Sequence, residues 1–273
     1  MNHALSTHLW ANHRLTTSLL AKVEQTGIPE VEIFCAKQHL DHRDRAQVAE
    51  LGHWFRDSKL KLRSVHAPIY TDDVWGRSGP HAVVNIAELV KSRRMPMVDE
   101  IKRAIEIAEF VPFRYLIQHI GVSGEEFDPR KFDAAFTALE ELRVFARQID
   151  VEILLENIPN DLASPGRLRE FQELTHIGLN YVFDIGHAHI AGNVEAAFAL
   201  MKDRIRSTHI HDNDGTEDAH MFPFSGSIDW NNAMPLLREC GEQAPLLLEL
   251  KEMPGLANPL DEVRRVFDRL EEL

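Results

Sequence analysis

The chain contains little cysteine, fewer basic than acidic residues and no long hydrophobic run, and each shortage excludes a class of protein. Two cysteines, Cys35 and Cys240, are too few for a disulfide framework, so we expect two buried thiols in a reducing cytosol. No apolar run approaches the roughly 18 residues of a membrane span, and the N-terminal residues lack the pattern of a secretory signal peptide. We therefore expect a cytoplasmic protein with no membrane partner.

The charge balance makes nucleic acid a disfavoured partner. The chain has 30 Lys and Arg against 43 Asp and Glu, a formal net charge of −13, whereas phosphate contacts need clustered basic residues. A local basic face is compatible with an acidic chain, so charge alone does not decide the point. Hydrophobic residues at 44% and charged residues at 27% are typical of a globular protein.

Short apolar runs alternate with segments of helical length along the whole chain. The predicted strands are 5–9, 31–35, 62–67, 115–120, 151–157, 181–184, 207–211 and 246–250. Helix starts are indicated where an N-capping residue precedes proline, at Asp128-Pro129, Ser164-Pro165 and Asn258-Pro259. Eight such units in 273 residues predict a single (β/α)8 TIM barrel, a domain of residues 1–273. A doubly wound open sheet is disfavoured because no Gly-x-Gly-x-x-Gly follows the first strand.

One connection, residues 70–96, is longer than barrel loops usually are. We expect a short helix over residues 83–90, on the side of the barrel where active sites are built. The basic residues of this connection are the main candidates for binding a substrate phosphate, although a solvated helix end is the more ordinary explanation. They are Arg77, Lys91, Arg93 and Arg94.

Polar residues end six consecutive predicted strands, and barrel enzymes build their active sites at these ends. The residues are His66, His119, Glu156, Asp184 with His187, His209 with His211 and Asp212, and Glu249. Burying several carboxylates together is costly without a counter-charge, and a divalent metal is the natural one. Mixed histidine and carboxylate ligands suit Zn²⁺, Mn²⁺ or Fe²⁺ better than Ca²⁺. The pattern predicts a metal site.

Further residues near these ends are weaker candidates. Asp218 and His220 follow the seventh strand as a carboxylate and an imidazole at close spacing, although a solvated loop pair is the more ordinary interpretation. His211 shares a strand face with His209, so we assign it to support of a ligand or to substrate. Asn157 either orients a ligand or contacts substrate. Lys251 lies two residues after Glu249, on the same face of the predicted strand, and is a candidate for contact with substrate, although a salt bridge is the more usual role for such a lysine.

These fragments together resemble the xylose-isomerase-like TIM barrel superfamily, which includes sugar and sugar-phosphate isomerases and epimerases and the endonuclease-IV-type AP endonucleases (AP endonuclease family 2). The matching fragments, in chain order, are SVHAPIY, LIQHIG, LLENIP, VFDIGHAH, HIHDNDG, DAH, SGSIDW and LLLELKE. As a set they are specific for the superfamily and poorly specific for the reaction.

The epimerase branch implies one metal ion, held by Glu156, Asp184, His209 and Glu249. In such enzymes the two glutamates take and return the substrate proton on opposite faces of a metal-bound enediolate. His187 then resembles a residue that hydrogen-bonds the substrate oxygen. The resemblance therefore implies an isomerase or epimerase of a sugar, sugar phosphate or related polyol, with a role in carbohydrate metabolism.

The endonuclease branch implies a larger site with three zinc ions, and it supplies the alternative prediction of a zinc phosphoesterase. That site adds counterparts of His66 and His119 beside a bridging Glu156. The third ion would be held by His187, Asp218 and His220. The cofactor prediction is thus one to three divalent ions, with Zn²⁺ or Mn²⁺ favoured over Mg²⁺, Fe²⁺ or Co²⁺.

Two departures weaken a keto-sugar 3-epimerase assignment. The Gly-Glu-Gly that usually precedes Ile-Asp-Trp is replaced by Phe224-Ser225-Gly226, and no arginine follows His209 within DNDGTED. Lyases and other hydrolases on this barrel, or a sugar-binding protein without activity, also remain open. The sequence leaves substrate identity and oligomeric state undecided.

Overall fold

Eight parallel strands form one sheet in the computed structural model, which describes residues 1–273 apart from the side chains of residues 80 and 81. The strands are β1 (His3–Ser6), β2 (Glu30–Phe34), β3 (Lys61–His66), β4 (Tyr115–Gln118), β5 (Glu152–Glu156), β6 (Asn180–Asp184), β7 (Ile205–His209) and β8 (Leu246–Leu248). From β1 to β7 each strand pairs with the next one in the chain, and β1 also pairs with β8. Ile210 bridges to Leu248 just beyond β7, so the sheet closes nearly completely into the predicted (β/α)8 barrel.

Nine α-helices of the described chain surround the barrel. They are α1 (Thr17–Gln25), α2 (Arg45–Asp57), α3 (Lys91–Ile105), α4 (Pro129–Arg147), α5 (Pro165–Thr175), α6 (Ile185–Ile190), α7 (Val194–Met201), α8 (Trp230–Glu239) and α9 (Pro259–Glu271). The three predicted proline starts are confirmed for α4, α5 and α9, and at α4 the Asp128 side chain accepts a hydrogen bond from Arg130 N–H at 2.9 Å. No helix among the described residues has the length and apolar content needed to cross a membrane.

The core lies between the sheet and the helices. In α4, for example, Phe132, Leu139 and Leu142 are buried. A fully buried leucine or phenylalanine contributes about 1.5–3 kcal/mol relative to exposure, so each helix is held by a few such side chains. Cys35 and Cys240 are unpaired and buried, as expected.

Two local predictions were wrong. The first strand ends at Ser6, whose hydroxyl accepts a hydrogen bond from His8 N–H and starts a 3₁₀ turn over Thr7–Trp10. Residues 83–90 do not form a helix, because Thr71 and Val84 donate backbone hydrogen bonds to Ala82 and Ile69 in a short antiparallel pairing. The helix begins at Lys91 instead and includes a proline within its length.

Candidate metal centre and active site

A cavity of about 520 Å³ opens at the C-terminal mouth of the barrel. Its floor is polar and includes Glu156 at the end of β5, His187 in α6 directly after β6, and Glu249 directly after β8. One wall is aromatic, with the rings of Phe34 and Trp75 5.0 Å apart. The cavity therefore combines a charged floor with an apolar wall.

Four buried residues meet at the base of this cavity, where each offers a ligand atom within 4.8 Å of the others. They are Glu156, Asp184, His209 and Glu249. Glu156, Asp184 and His209 are the last residues of β5, β6 and β7, and Asp184 and His209 are register partners. The Nδ1 atom of His209 lies 2.9 Å from Glu156 Oε1 and 3.2 Å from Glu249 Oε2.

In this four-residue centre the neighbouring charges shift the pKa values in the direction opposite to the shift caused by burial. Burial would raise the pKa of Glu156, but His209 and His119 hold it well below its ordinary value. Burial would lower the pKa of His209, but Glu249, Glu156 and Glu32 raise it well above its ordinary value. Three carboxylates around one imidazole keep an excess of negative charge even when the ring is protonated. This donor set fits a divalent cation.

A second group faces the other oxygen of Glu156. His119 Nε2 lies 3.0 Å and His66 Nε2 3.5 Å from Glu156 Oε2. The Nδ1 atom of His66 contacts its neighbouring carbonyl, Ala67 O, at 2.8 Å, which orients Nε2 toward the glutamate. Glu156 therefore stands between His209 on one side and two histidines on the other.

A third group surrounds Asp218 and comprises His187, His211 and His220. Asp218 Oδ2 lies 3.1 Å from His187 Nε2 and 3.2 Å from His220 Nε2. Burial lowers the pKa of both histidines, yet Asp184 and Asp218 raise that of His187 to about 10, and Asp218 raises that of His220 to about 9. All nine residues predicted as metal ligands thus fall into three adjoining groups.

The three residues predicted to contact substrate differ in position. His211 is fully buried, 3.1 Å from Asp184 Oδ2, and a Cβ at Gly186 would lie 2.0 Å from its Cε1. Asn157 is buried and exchanges hydrogen bonds of 2.8 and 2.9 Å with the backbone of Asp184. Both residues therefore support Asp184, whereas Lys251 lines the cavity.

Asp212, also predicted at a strand end, holds the loop that carries Asp218 and His220. Its carboxylate accepts hydrogen bonds from Trp230 Nε1 and Phe224 N–H at 2.9 Å. A Cβ at Gly226 would lie 2.4 Å from Asp212 Oδ1, so a side chain does not fit there without a shift.

The basic residues of the long connection do not line the cavity. Arg94 is buried and donates to the carbonyl of Glu88 at 2.6 Å, and Arg93 lines a separate cavity. Of the cavity-lining residues that the structure describes, only Lys251 is a lysine or arginine.

The sequence interpretation missed two residues of the site. Glu32 is fully buried in β2 and lies 3.2 Å from His209 Nε2. His8 lines the cavity and places its ring 4.5 Å from that of His220. Both lie within predicted strands rather than at their ends, so the strand-end position that identified His66 and Glu156 did not mark them; an ionisable residue inside a short predicted strand was the available signal.

The fold and the site define a TIM barrel with a histidine and carboxylate centre at its C-terminal mouth. The chain belongs to the xylose isomerase-like TIM barrel family, whose model matches residues 20–273. The uncharacterised protein MJ1311 of Methanocaldococcus jannaschii is 26% identical over 265 residues, 93% of this chain and 85% of the relative.

Solved structures share the fold at low identity. A D-tagatose 3-epimerase-like protein has a TM-score of 0.77 at 23% identity, covering 100% of this chain and 99% of that one. The IolI protein with a bound zinc atom has a TM-score of 0.77 at 16% identity, with coverages of 99% and 96%. A D-psicose 3-epimerase has a TM-score of 0.76 at 14% identity, with coverages of 98% and 98%.

Proposed function

We propose that the protein is a divalent-metal-dependent isomerase or epimerase of a small sugar or related polyol. The observation that carries the proposal is the four-residue centre of Glu156, Asp184, His209 and Glu249 at the base of the cavity. A volume of about 520 Å³ suits a small ligand. The family, and neighbours named as tagatose and psicose epimerases, support the same reaction class.

We propose Zn²⁺ or Mn²⁺ as the cation at the four-residue centre, because both accept mixed carboxylate and imidazole ligands; Mg²⁺, Fe²⁺ or Co²⁺ would be alternatives. When bound, the cation would polarise a substrate carbonyl and acidify the adjacent C–H bond. IolI, a neighbour in fold, is described with a bound zinc atom, which is compatible with this assignment.

Glu156 and Glu249 are the proposed catalytic acid–base pair. Both line the cavity from different strands, so a substrate between them presents one side of a carbon to each carboxylate. One glutamate would take the proton next to the carbonyl and the other would return it. His187 has its Nδ1 2.9 Å from the Asn157 carbonyl and its Nε2 3.1 Å from Asp218 Oδ2, and we propose that Nε2 hydrogen-bonds a substrate oxygen in place of Asp218.

The lining of the cavity favours an uncharged substrate over a sugar phosphate. Lys251 is the only lysine or arginine among the described lining residues, against three carboxylates on the same surface, and the protonated His187 and His220 are already paired with Asp218. The rings of Phe34 and Trp75 offer an apolar surface to the C–H face of a sugar. We also propose a cytoplasmic location, since the two buried cysteines are unpaired.

The test is solvent exchange. Metal-loaded protein is incubated with uncharged ketoses in deuterated water, and proton NMR follows deuterium incorporation beside the carbonyl. We expect exchange in the wild type and in Glu140→Gln, which changes an exposed residue of α4, and none above background in Glu156→Gln. Exchange by Glu156→Gln at the wild-type rate would refute the assignment of the site.

The second candidate is a phosphoesterase of the AP-endonuclease type. It is favoured by the other two groups, His66 with His119 and Glu156, and His187 with His211, Asp218 and His220, which would hold two further ions. Three ions per chain, with cleavage of a duplex containing an abasic site, would support it. One ion per chain and no cleavage would support the isomerase.

A further inference from the structure

Glu32 is a fully buried residue whose carboxylate contacts a strand on the other side of the barrel interior. It lies in β2 between the buried apolar residues Val31 and Ile33. Its register partner Ser64 in β3 donates a hydrogen bond to Oε2 at 2.7 Å. Its other partner is His209 in β7, a strand that does not pair with β2.

The two ring nitrogens of His209 face different carboxylates. Nε2 lies 3.2 Å from Glu32 Oε1 and 3.4 Å from Oε2. Nδ1 faces Glu156 at 2.9 Å and Glu249 at 3.2 Å, inside the four-residue centre. A neutral imidazole carries one proton, and a nitrogen that binds a cation must offer its lone pair. If Nδ1 is the ligand, the proton must be on Nε2, and Glu32 accepts a hydrogen bond from that N–H group.

We propose that Glu32 is a positioning residue, which accepts a hydrogen bond from His209 Nε2–H and thereby presents the Nδ1 lone pair to the cation. The inference rests on the metal centre of the proposed function. Among the described side chains the direct polar partners of Glu32 are Ser64 and His209, so its charge is balanced mainly through the imidazole. Carboxylates behind ligating histidines fix the tautomer and raise the basicity of the ligand.

The decisive variant is Glu32→Gln. A glutamine side chain fits the same space, but its amide can rotate and donate to Nε2, which favours the tautomer with the proton on Nδ1. We expect the dissociation constant for Zn²⁺, measured on metal-free protein by competition with a chromogenic chelator, to rise about 10–100-fold. An affinity equal to that of the wild type would overturn the inference.

Glu30→Gln is the matched control, because it makes the same change two residues earlier in the same strand. Glu30 pairs with Arg63 at 2.9 Å and does not contact His209. We expect its Zn²⁺ affinity to equal that of the wild type. Equal losses in the two variants would overturn the inference, because the effect would then come from the strand rather than from His209.

Nitrogen NMR of wild-type protein labelled at histidine tests the tautomer without any variant. In the Zn²⁺-loaded protein we expect His209 to carry its proton on Nε2, and a proton on Nδ1 would overturn the inference even if Glu32→Gln did not fold. Absence of Zn²⁺ binding by the wild type would overturn both this inference and the proposed function. Metal binding that depends on Glu32, without ketose exchange, would support the inference and refute only the proposed reaction.

Discussion

Glu100 and Glu156 are both buried carboxylates with histidine partners, but only Glu100 also contacts arginines. Glu100, in α3, accepts hydrogen bonds from His42 at 2.8 Å and from Arg103 at 2.8 Å, and it pairs with Arg43. Glu156 contacts histidines within hydrogen-bonding distance, and further carboxylates surround the same cavity floor.

The difference separates a structural network from the proposed functional one. At Glu100 the chain supplies enough positive charge to compensate the carboxylate permanently. In the four-residue centre at the mouth of the barrel, three carboxylates surround one imidazole, and the proposed divalent cation would balance the remaining negative charge. In a TIM barrel the mouth is where activity is placed, and this distribution of charge follows that rule.

The largest effect is expected from Glu100→Ala. Removing one member of a buried charged network leaves His42 and two arginines without their partner, so the free energy of unfolding should fall by about 3–5 kcal/mol. Denaturant unfolding measures the change. Glu141→Ala, which removes a surface partner of Lys102, should cost at most about 1 kcal/mol. Equal losses in both variants, or a loss of Zn²⁺ affinity in Glu100→Ala, would contradict the comparison.

A smaller effect is expected from removing the metal. An ion that binds only the folded state adds about 2.7 kcal/mol to the unfolding free energy when its free concentration is 100 times the dissociation constant. Chelation should therefore lower the melting temperature of the wild type and abolish ketose exchange. The same shift should appear in Glu100→Ala, since that network does not contact the centre. A melting temperature insensitive to chelator and to added Zn²⁺ would argue against a metal at the mouth.

The stability should also depend on pH, with opposite signs in the two regions. His42 and Arg43 outweigh burial and lower the pKa of Glu100 from 4.5 to about 2, so its stabilisation is present above pH 4.5 and disappears as pH falls toward 2. In metal-free protein the raised pKa values of His187 and His220 stabilise the fold fully below pH 6.5. That stabilisation decreases as pH rises through about 9 to 10.

Unfolding curves of metal-free protein at several pH values test this sign difference. Glu100→Ala should lose the acid-side dependence and keep the alkaline one, whereas His220→Gln should reduce only the alkaline dependence. A wild-type protein whose stability is constant between pH 6.5 and 9 would contradict the assigned state of the mouth histidines.

The sequence alone determined the barrel and most of the residues of the candidate site. Eight apolar runs separated by helical segments predicted the (β/α)8 fold. Strands buried on both faces appear in a sequence as continuous apolar runs, and helices with one buried face appear as apolar residues with helical spacing. His66, Glu156, Asp184 and His209 were identified for a related reason. Each is a polar residue at the end of an apolar run, and the ends of parallel strands meet at one edge of a sheet.

Only the tertiary structure decided which of these side chains touch one another. Glu32 and His209 are 177 residues apart and meet across the barrel, so their pairing has no signature in local spacing. The segment 83–90 does not start as a helix because Val83 and Val84 pair with the chain near Ile69, a long-range contact that helical propensity does not predict. For His211 and Asn157 the sequence left two roles open, support of a ligand or contact with substrate, and the structure places both against Asp184. Periodicity records which face of an element is buried, whereas the partner of a buried polar atom depends on how the elements pack.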